Sequence, residues 1–360
     1  MNVATIKIFF KKHERHLSPL AFLAGFILDN FTLTRVDALS NHLIFLSYLT
    51  VACASIILYQ AKDGERSGKL TGKVTPWLPL IIQFTFGGLF SGFLILYSRS
   101  ASLVASWPFL LFLVLLFIGS EVFKHRYSRL PFQLSVLFLA LLSYTTFLIP
   151  VLAGHIGADM FILSGVVSLV LTILVIMAVK KTAPSRFETG KKYIGGSITG
   201  LFILFNLLYF ANLIPPLPLS IKDIGVYHYV AWEEGKYHVE FEPAPWYAPW
   251  KKMSSNFHRT GTEAVYVLSS VFAPTRLNTT ILHRWSYLDE DKGRWVPVTT
   301  ISYPITGGSE KGYRGYSLKE NVFPGTWRVD VITERGQVIG RIRFDIKNSS
   351  SAPTIKRDSI

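Results

Sequence analysis

The sequence has few of the residues that stabilise small exported domains covalently. Of its 360 residues only Cys53 is a cysteine, so no disulfide can form within the chain and each domain must rely on an ordinary apolar core. Charged residues are scarce too. They make up 17% of the chain, against about 25% in a typical soluble domain. With 50% hydrophobic residues and a mean hydropathy of +0.35, the composition is typical of a membrane protein.

Motifs for catalysis are also missing. The chain has no H-E-x-x-H, no G-x-S-x-G and no Walker loop, which removes the usual sequence basis for a zinc protease, an α/β-hydrolase or a P-loop enzyme. It shows no inverted repeat and no pair of broken helices of the kind that forms transporter sites. We therefore expect no cofactor and no resident metal, and we do not predict an enzyme.

Long apolar segments fill the first 214 residues. A spanning helix needs about 20 mostly apolar residues. Seven segments meet that requirement, so the sequence predicts a seven-helix transmembrane bundle. The first is interrupted by Asp29 and Asn30, and since no small-x-small cleavage site follows it, we expect it to be retained. The segments are 17–35, 41–60, 76–98, 101–120, 130–151, 158–179 and 193–214.

Lysine and arginine are distributed very unevenly between the two sets of loops. The N-terminal tail and the second, fourth and sixth loops contain sixteen of them, whereas the opposite loops contain only Arg35 and Arg99. Basic loops mark the cytoplasmic side. The sequence thus predicts a cytoplasmic N-terminus and an extracytoplasmic segment after residue 214. Most of the net charge of +14 belongs to this basic rim and does not indicate nucleic-acid binding.

Several polar residues lie at or near the predicted outer ends of the helices. Asp29 and Asn30 lie in the first helix, and His155 and Asp159 in the fifth loop. Ionisable groups inside a membrane are candidates for function. They could form an outward-facing polar cluster around Asp29, or they could simply lie at the water interface.

After the proline-rich stretch "IPPLPLS" the apolar period changes to two. "VYHYVAW-EEG-KYHVEFE" predicts a hairpin. If its turn has three residues, His228, His238 and Glu240 share one sheet face, which makes them weak candidates for zinc ligands; a solvated polar face is the alternative. The following "EPAPWYAPWKK" is typical of a linker. Alternatively, Trp246 and Trp250 in it could anchor at a membrane interface.

From residue 264 short alternating segments recur with no helix between them. Such spacing predicts an antiparallel β-sandwich of immunoglobulin-like type. Trp327, Val329 and Val331 are expected to point inward, together with Val338, Ile342, Phe344 and Ile346. The predicted strands are "AVYVLSSVFA", "TTILHRWSYL", "RWVPVTTISY", "YRGYSLK", "TWRVDVIT" and "QVIGRIRFDI".

The stretch "LHRWSYLDEDKGRWVPVTTISY" concentrates side chains capable of chemistry. We interpret "DEDKG" as a hairpin tip, because a full D-x-D-x-D-G calcium loop is absent. His283 shares a face with Ile281, Trp285 and Tyr287. We expect it to be a satisfied strand residue and not a catalytic base.

At these residues the chain resembles the bacterial family called domain of unknown function (DUF) 2914. The similarity lies in "LHRWSYLDEDKGRWV", in "GYRGYSLKENVFPGTWRVDVITERGQVIGRIRFDI" and in the helical stretch "GFILDNFTLTRVD". Residues from about 264 to 346 carry the specific part. The resemblance implies a bacterial envelope protein with a small β-domain near its carboxyl end, and it implies no activity, substrate or catalytic residue.

The expected protein is an α + β membrane protein of the cell (inner) membrane. Its partners are the lipid bilayer and an envelope protein or glycan bound by the outer domain, with no nucleic acid. The alternative is a membrane enzyme or transporter that uses the cluster around Asp29. The predicted parts are a cytoplasmic basic tail (1–16), the helical domain (17–214), a hairpin and linker region (215–263), the β-sandwich (264–347) and a flexible tail (348–360).

Overall fold

The structure is a computed structural model that describes residues 26–27, 29–31, 33, 38–61, 75–100, 103–122, 129–248, 250–275, 277–309 and 311–360. Apart from two short segments, the residues up to Ile214 form one compact unit and Pro215–Ile360 form a second. We call these units the helical domain and the β domain. Their boundary coincides with the change of apolar period in the sequence.

The helical domain contains helices at the apolar segments from residue 41 onward. Within the described residues, five of its helices (α1, α2, α4, α5 and α6) are long and apolar enough to cross a membrane, as judged by length and composition. The predicted first helix lies largely outside the described residues, although residues 26–27 and 29–31 are helical. The helices are α1 (Leu39–Gln60), a 3₁₀ turn (Thr75–Trp77), α2 (Leu78–Ser100), α3 (Leu103–Val122), α4 (Leu130–Ala153), α5 (Ala158–Thr182) and α6 (Pro184–Phe210).

The sequence predicts a basic loop between the last two apolar segments, but the structure has almost no loop between α5 and α6. Only Ala183 separates the two helices, so the stretch 184–192 forms the first turns of α6. Proline is well suited to begin a helix because its fixed φ matches the first turn and its missing N–H needs no partner there. At the other end α6 stops at Phe210, four residues before the predicted end, and Asn212 follows with a φ of 57°.

Small residues in α2 let α1 approach closely. A Cβ atom on Gly88 would lie 2.7 Å from the ring of Tyr48, and one on Gly92 would lie 2.5 Å from the ring of Phe45. Gly196 and Gly200 of α6 do not act in this way, since a Cβ on either would have no neighbour within 4 Å. Gly88 and Gly92 thus form a helix contact, whereas Gly196 and Gly200 do not.

The β domain is built from three sheets. The large sheet has the order β4-β10-β9-β6-β7, the small sheet β1-β5-β8 and the third sheet β11-β3-β2. The pairings are antiparallel except for the parallel pair β4 and β10. The strands are β1 (Ser220–Tyr227), β2 (Tyr229–Glu233), β3 (Lys236–Phe241), β4 (Asn256–Arg259), β5 (Val265–Phe272), β6 (Asn278–Asp289), β7 (Arg294–Thr306), β8 (Tyr313–Lys319), β9 (Gly325–Thr333), β10 (Val338–Asn348) and β11 (Lys356–Ser359).

The main core lies between the large and the small sheet. Trp285 and Trp327 are fully buried there and pack with Phe344 of the large sheet and with Val265 and Val267 of the small sheet. The alternation of the strands, with successive side chains on opposite faces, produces this arrangement. The predicted inward positions of β9 are confirmed, since Trp327, Val329 and Val331 are fully buried.

One inward position of β10 was predicted wrongly. The ladder between β9 and β10 shifts register between Val338 and Gly340. Because a β-bulge adds one residue to a strand, it exchanges the two faces beyond it. Ile339 is fully buried as a result, and Val338 is only partly buried.

The parts flanking the predicted sandwich also join the sheets. β1 and β4, which lie in the predicted hairpin and linker region, pair with β5 and β10 respectively. The stretch 348–360, expected to be a flexible tail, contains β11, which pairs with β3. Both regions look irregular in the sequence because their strands are short and their partners are distant.

Candidate binding face of the β domain

The outward face of the large sheet carries a cluster of arginines. Arg284 of β6, Arg328 of β9 and Arg341 of β10 surround the carboxylate of Asp330. Strand alternation places these residues outward, because their chain neighbours Trp285, Val329 and Ile342 belong to the core. Arg343 and Trp295 lie beside them. We call Arg284, Arg328, Arg341, Arg343 and Trp295 the arginine–tryptophan face.

Asp330 organises this face. Its side chain is completely buried, although it points away from the core. Oδ2 lies 3.2 Å from Nη2 of Arg284 and 3.4 Å from Nε of Arg328, and Oδ1 accepts a hydrogen bond from Nε of Arg341. A carboxylate tolerates burial only when it is paired and hydrogen bonded. Three guanidinium groups thus share one counterion.

The fourth arginine of the face, Arg343, faces another arginine across the ladder. Arg343 lies directly opposite Arg328 in the ladder of β9 and β10, a like-charged pair that destabilises a sheet unless it is compensated. Both guanidinium groups lie over the Trp295 ring, at 4.4 Å for Arg328 and 5.3 Å for Arg343. The indole offsets part of the repulsion through cation–π contacts.

Arg328 is the most constrained member of the face. Its side chain is 15% exposed, and its buried Nε makes no hydrogen bond within the described structure. Burial lowers the pKa of Arg328; Asp330 acts in the opposite direction, and the other arginines add to the lowering. The face therefore sets four arginines against the single carboxylate of Asp330 at its centre, and its most exposed guanidinium group, that of Arg343, is the one an anionic ligand can reach.

A second polar cluster joins four segments of the β domain. We call it the histidine–glutamate cluster, and it consists of His228, Glu242, His258 and Glu263. Nδ1 of His228 lies 2.5 Å from Oε1 of Glu263, and Nε2 lies 3.1 Å from Oε1 of Glu242. Nδ1 of His258 lies 2.7 Å from Oε2 of Glu242. Both nitrogens of His228 face carboxylates, so this geometry favours the doubly protonated imidazolium.

The electrostatics of the cluster agree with that assignment. Burial acts to lower the pKa of His228, but hydrogen bonds and charges of Glu242 and Glu263 outweigh it and raise the pKa above its usual value. Burial acts to raise the pKa of Glu242, and its bonds to His228 and His258 outweigh that effect and lower it. The cluster is a set of charge-assisted hydrogen bonds that ties β3 and β4 to the segments around them.

The predicted zinc candidates do not come together. The hairpin turn contains two residues, Glu234 and Gly235, both with positive φ, and this geometry is typical of a type I′ turn. Glu240 therefore pairs with Tyr229, one residue away from the predicted register. This slip removes His228 from the face of His238 and Glu240 and buries it.

His238 and Glu240 instead face β11. Nδ1 of His238 lies 3.1 Å from Oγ of Ser359, and Glu240 pairs with Arg357 at 2.7 Å. They line an open depression of about 330 Å³ that also includes Asp358. No group of three histidine, cysteine or acidic residues arranged to hold a metal ion occurs within the part of the chain that the structure describes.

His283 is a buried structural residue. Nε2 lies 2.8 Å from Oγ of Ser269 and 3.1 Å from the hydroxyl of Tyr303, and Nδ1 lies 2.8 Å from Oγ of Ser317. Burial lowers the pKa of His283 to about 4, so the imidazole is neutral near pH 7. These bonds join the large sheet to the small sheet. The structure supports the interpretation of His283 as a satisfied strand residue.

The outer-end candidates lie in the first helical stretch and around the start of α5. Oδ2 of Asp29 accepts a hydrogen bond of 2.5 Å from Oγ of Ser91 in α2. Asn30 follows it in the same short helical stretch, and Asp159 lies in the first turn of α5. His155 lies in the turn before α5. The bond from Ser91 attaches Asp29 to the helical domain.

The two linker tryptophans are strongly exposed. Trp246 is 91% and Trp250 is 77% exposed, and Tyr247 between them is 66% exposed. Single exposed apolar side chains are common, but three large aromatics within five residues form a small apolar patch. Such a patch is compatible with contact to a membrane interface or a ligand.

The residues of the arginine–tryptophan face are only partly visible in the sequence. Alternation in "TWRVDVIT" and "GRIRFDI" predicts outward Arg328, Asp330, Arg341 and Arg343. Arg284 and Trp295 could have been added from "HRW" and "GRW", since the predicted hairpin brings both to one sheet. That the carboxylate of Asp330 is fully buried could not be predicted, because it results from three strands meeting.

Comparison with known proteins bears on the segment that carries this face. Residues 278–346 match the model of the family described as "Protein of unknown function (DUF2914)". The resemblance noted in the sequence is thereby confirmed for the C-terminal part. The match runs from β6 into β10 and includes every residue of the arginine–tryptophan face.

The other comparisons add little. No curated protein matches this chain. One solved structure with a detectable similarity is the "Pseudomonas fluorescens alkylpurine DNA glycosylase AlkC bound to DNA containing an abasic site analog", which is 11% identical over 87% of this chain and 99% of that chain. Its TM-score is 0.22, so this likeness supports no conclusion about fold or function.

Proposed function

We propose that this protein is a multi-pass membrane protein that presents its β domain outside the cytoplasm as a binding module, within a bacterial cell envelope. The five long apolar helices support the membrane part. The unequal distribution of lysine and arginine among the loops supports the orientation. On this proposal the β domain is an immunoglobulin-like sandwich, supported by the packing of the large sheet on the small sheet.

The observation that carries the binding role is the arginine–tryptophan face. Three guanidinium groups share one buried carboxylate, and a fourth, that of the exposed Arg343, lies beside them over the Trp295 ring. The ligand that fits is anionic. We propose an acidic glycan of the envelope, because a row of arginines crossing three neighbouring strands matches a polymer with repeated negative charges.

Binding of a defined polyanion tests this role. Full-length protein in nanodiscs of zwitterionic lipid is titrated with dextran sulfate and with uncharged dextran. We expect binding of dextran sulfate alone, with an affinity that falls as salt rises. The variant Arg343→Gln should weaken it, because Arg343 is exposed and its loss should not disturb the core.

The variant Arg357→Gln is the matched control. It removes one exposed positive charge from β11, away from the face. Equal losses from both variants would mean that only net charge matters and would contradict a specific site. If the protein bound an acidic protein more tightly than the acidic glycan, the arginine–tryptophan face would still be the binding site, but its ligand would be a protein.

One observation supports a second function in a different class. The hydrogen bond from Ser91 fixes a carboxyl group, Asp29, within the helical domain, and such groups often serve transport or catalysis. If this is the working site, Asp29→Asn should abolish function in cells while the protein remains folded and binds dextran sulfate normally. If the β domain does the work, Arg343→Gln should impair function and Asp29→Asn should not.

A further inference from the structure

A closed loop of the β domain carries the three exposed aromatic side chains described above. We call residues 243–253 the aromatic loop, and its first and last residues meet in an isolated β-bridge. Trp246, Tyr247 and Trp250 lie within it and are strongly exposed. Removing apolar surface from water is favourable. Three large aromatic side chains within five positions therefore form the kind of patch that marks a contact surface.

The fold holds the backbone of this loop in place. Ala248, at its centre, is 6% exposed. Its N–H donates a hydrogen bond of 2.9 Å to the carbonyl of Pro245, and its carbonyl accepts one of 3.0 Å from the N–H of Lys251. At the base of the loop, Sδ of Met253 accepts a hydrogen bond of 3.3 Å from the N–H of Val226. Because the backbone is already ordered, contact with a partner costs little conformational entropy.

The residue types of the loop suit the boundary between lipid headgroups and acyl chains. Tryptophan and tyrosine combine an apolar ring with one polar group, and they are enriched at that boundary. Two exposed lysines, Lys251 and Lys252, follow the aromatic residues, and the stretch 243–252 contains no acidic residue. Nζ of Lys251 donates a hydrogen bond of 3.0 Å to the neutral hydroxyl of Ser255, whereas Nζ of Lys252 pairs with Asp358 at 3.2 Å. Lys251 is therefore placed to meet an anionic headgroup beside the rings.

A short connection limits how far the β domain can lie from a bilayer that α6 crosses. Nine residues, 211–219, separate the end of α6 from the start of β1. An extended chain advances about 3.3–3.6 Å per residue, so this connection reaches about 30 Å at most. A domain tethered so closely meets the lipid surface at a high effective concentration, and modest contacts are then sufficient for docking.

We propose that the aromatic loop docks onto the surface of the bilayer that the helical domain crosses. Its aromatic rings lie at the boundary between headgroups and acyl chains, and Lys251 contacts an anionic phospholipid headgroup. The inference rests on the membrane insertion proposed above and adds a second attachment to the covalent one. A β domain attached at two points keeps one orientation on the bilayer.

Quenching of tryptophan fluorescence by brominated lipid tests the docking. Full-length protein is placed in nanodiscs of phosphatidylcholine and phosphatidylglycerol, with or without bromine on the acyl chains. The intensity lost in the double variant Trp246→Phe, Trp250→Phe measures the contribution of the loop, and we expect bromine to quench most of it. Trp232→Phe is the matched control, because Trp232 is 57% exposed on β2 and lies outside the loop. Equal quenching of the Trp232 contribution would overturn the proposal.

The role of the lysine is tested in the same nanodiscs. Lys251→Gln should reduce the ratio of docked to undocked protein roughly fivefold, the effect expected for one basic residue at an anionic membrane surface. Lys236→Gln is the control, because Lys236 is an exposed lysine of β3 outside the loop, and it should leave the ratio unchanged. Equal losses in both variants would show that only net charge matters and would contradict a contact of Lys251 with lipid.

Trp107 distinguishes failure of docking from failure of membrane insertion. Its side chain is 60% exposed on the apolar helix α3, so the intensity lost in Trp107→Phe should be quenched by brominated lipid whenever α3 lies in the bilayer. Quenching of the Trp107 contribution without quenching of the loop contribution would contradict docking and leave the proposed function standing. If neither contribution is quenched, membrane insertion is wrong and the docking inference fails with it.

Discussion

Replacing Asp330 with asparagine tests the organisation of the arginine–tryptophan face. The substitution Asp330→Asn keeps the size of the side chain and removes the one charge that three arginines share. Removing one partner of a buried ion pair typically costs about 3–5 kcal/mol, because the remaining charge is left uncompensated. The face should therefore be destabilised far more than an exposed site would be.

The expected magnitude is somewhat smaller than for a fully buried pair. Asp330 is completely buried, but the side chains of Arg284, Arg328 and Arg341 are 34%, 15% and 23% exposed. Water therefore solvates part of the charge that is left behind. We expect a loss of about 2–4 kcal/mol in the free energy of opening of β9 and β10.

Amide hydrogen exchange of the full-length protein in detergent, resolved by peptide, measures that free energy directly. Asp345→Asn is the control. Asp345 lies on the same face, is partly exposed and accepts a 2.7 Å bond from Thr326, so its neutralisation should cost less than about 1 kcal/mol. A loss below about 1 kcal/mol for Asp330→Asn as well would refute the idea that this carboxylate organises the face.

Three further predictions concern the core, the histidine–glutamate cluster and the helix contact. Trp327→Ala should cost about 3–5 kcal/mol in β9 exchange protection, whereas Trp246→Ala should leave protection unchanged because its side chain is 91% exposed. The pKa of His228 is raised by folding, so its contribution to stability is complete below its unfolded pKa of about 6.5 and is lost as pH rises through the folded pKa. Urea unfolding of the wild type at pH 6 and pH 9 should show that loss, and His228→Gln should remove the difference. Gly92→Leu should destabilise the helical domain in thermal melts by about 1–3 kcal/mol, and Gly200→Leu should not; similar melts for both would contradict the contact assigned to α2.

Local periodicity was sufficient to predict most elements of the fold. The apolar segments from residue 41 onward became helices, and the strands from β5 to β10 formed at the predicted stretches, several extending one to three residues further. The wrong predictions occurred where one residue more or less in a turn or strand changes which side chains share a sheet face. A two-residue turn at Glu234 and Gly235 shifted the register of the first hairpin, and a bulge near Val338 exchanged the faces of β10. The amino-acid composition of these segments predicts neither the length of the turn nor the presence of the bulge.

The candidate site depended more on contacts distant in sequence. Alternation predicts which arginines point outward, but the burial of Asp330 requires β6, β9 and β10 to lie side by side. The histidine–glutamate cluster was missed for the same reason. Glu242 and Glu263 reach His228 from 14 and 35 residues away, and neither lies in a recognisable motif. Geometry of this kind arises only after the chain folds.

The location of the β domain is the central claim, and cysteine labelling tests it directly. The background is Cys53→Ser, which removes the only native thiol. Single cysteines are then introduced by Ser350→Cys in the β domain and by Ser185→Cys at the start of α6, both at exposed positions. Spheroplasts are treated with a membrane-impermeant maleimide before and after lysis. We predict that Ser350→Cys labels in intact spheroplasts and Ser185→Cys labels only after lysis. The reverse pattern would contradict the proposed orientation and, with it, the role of the β domain outside the cytoplasm.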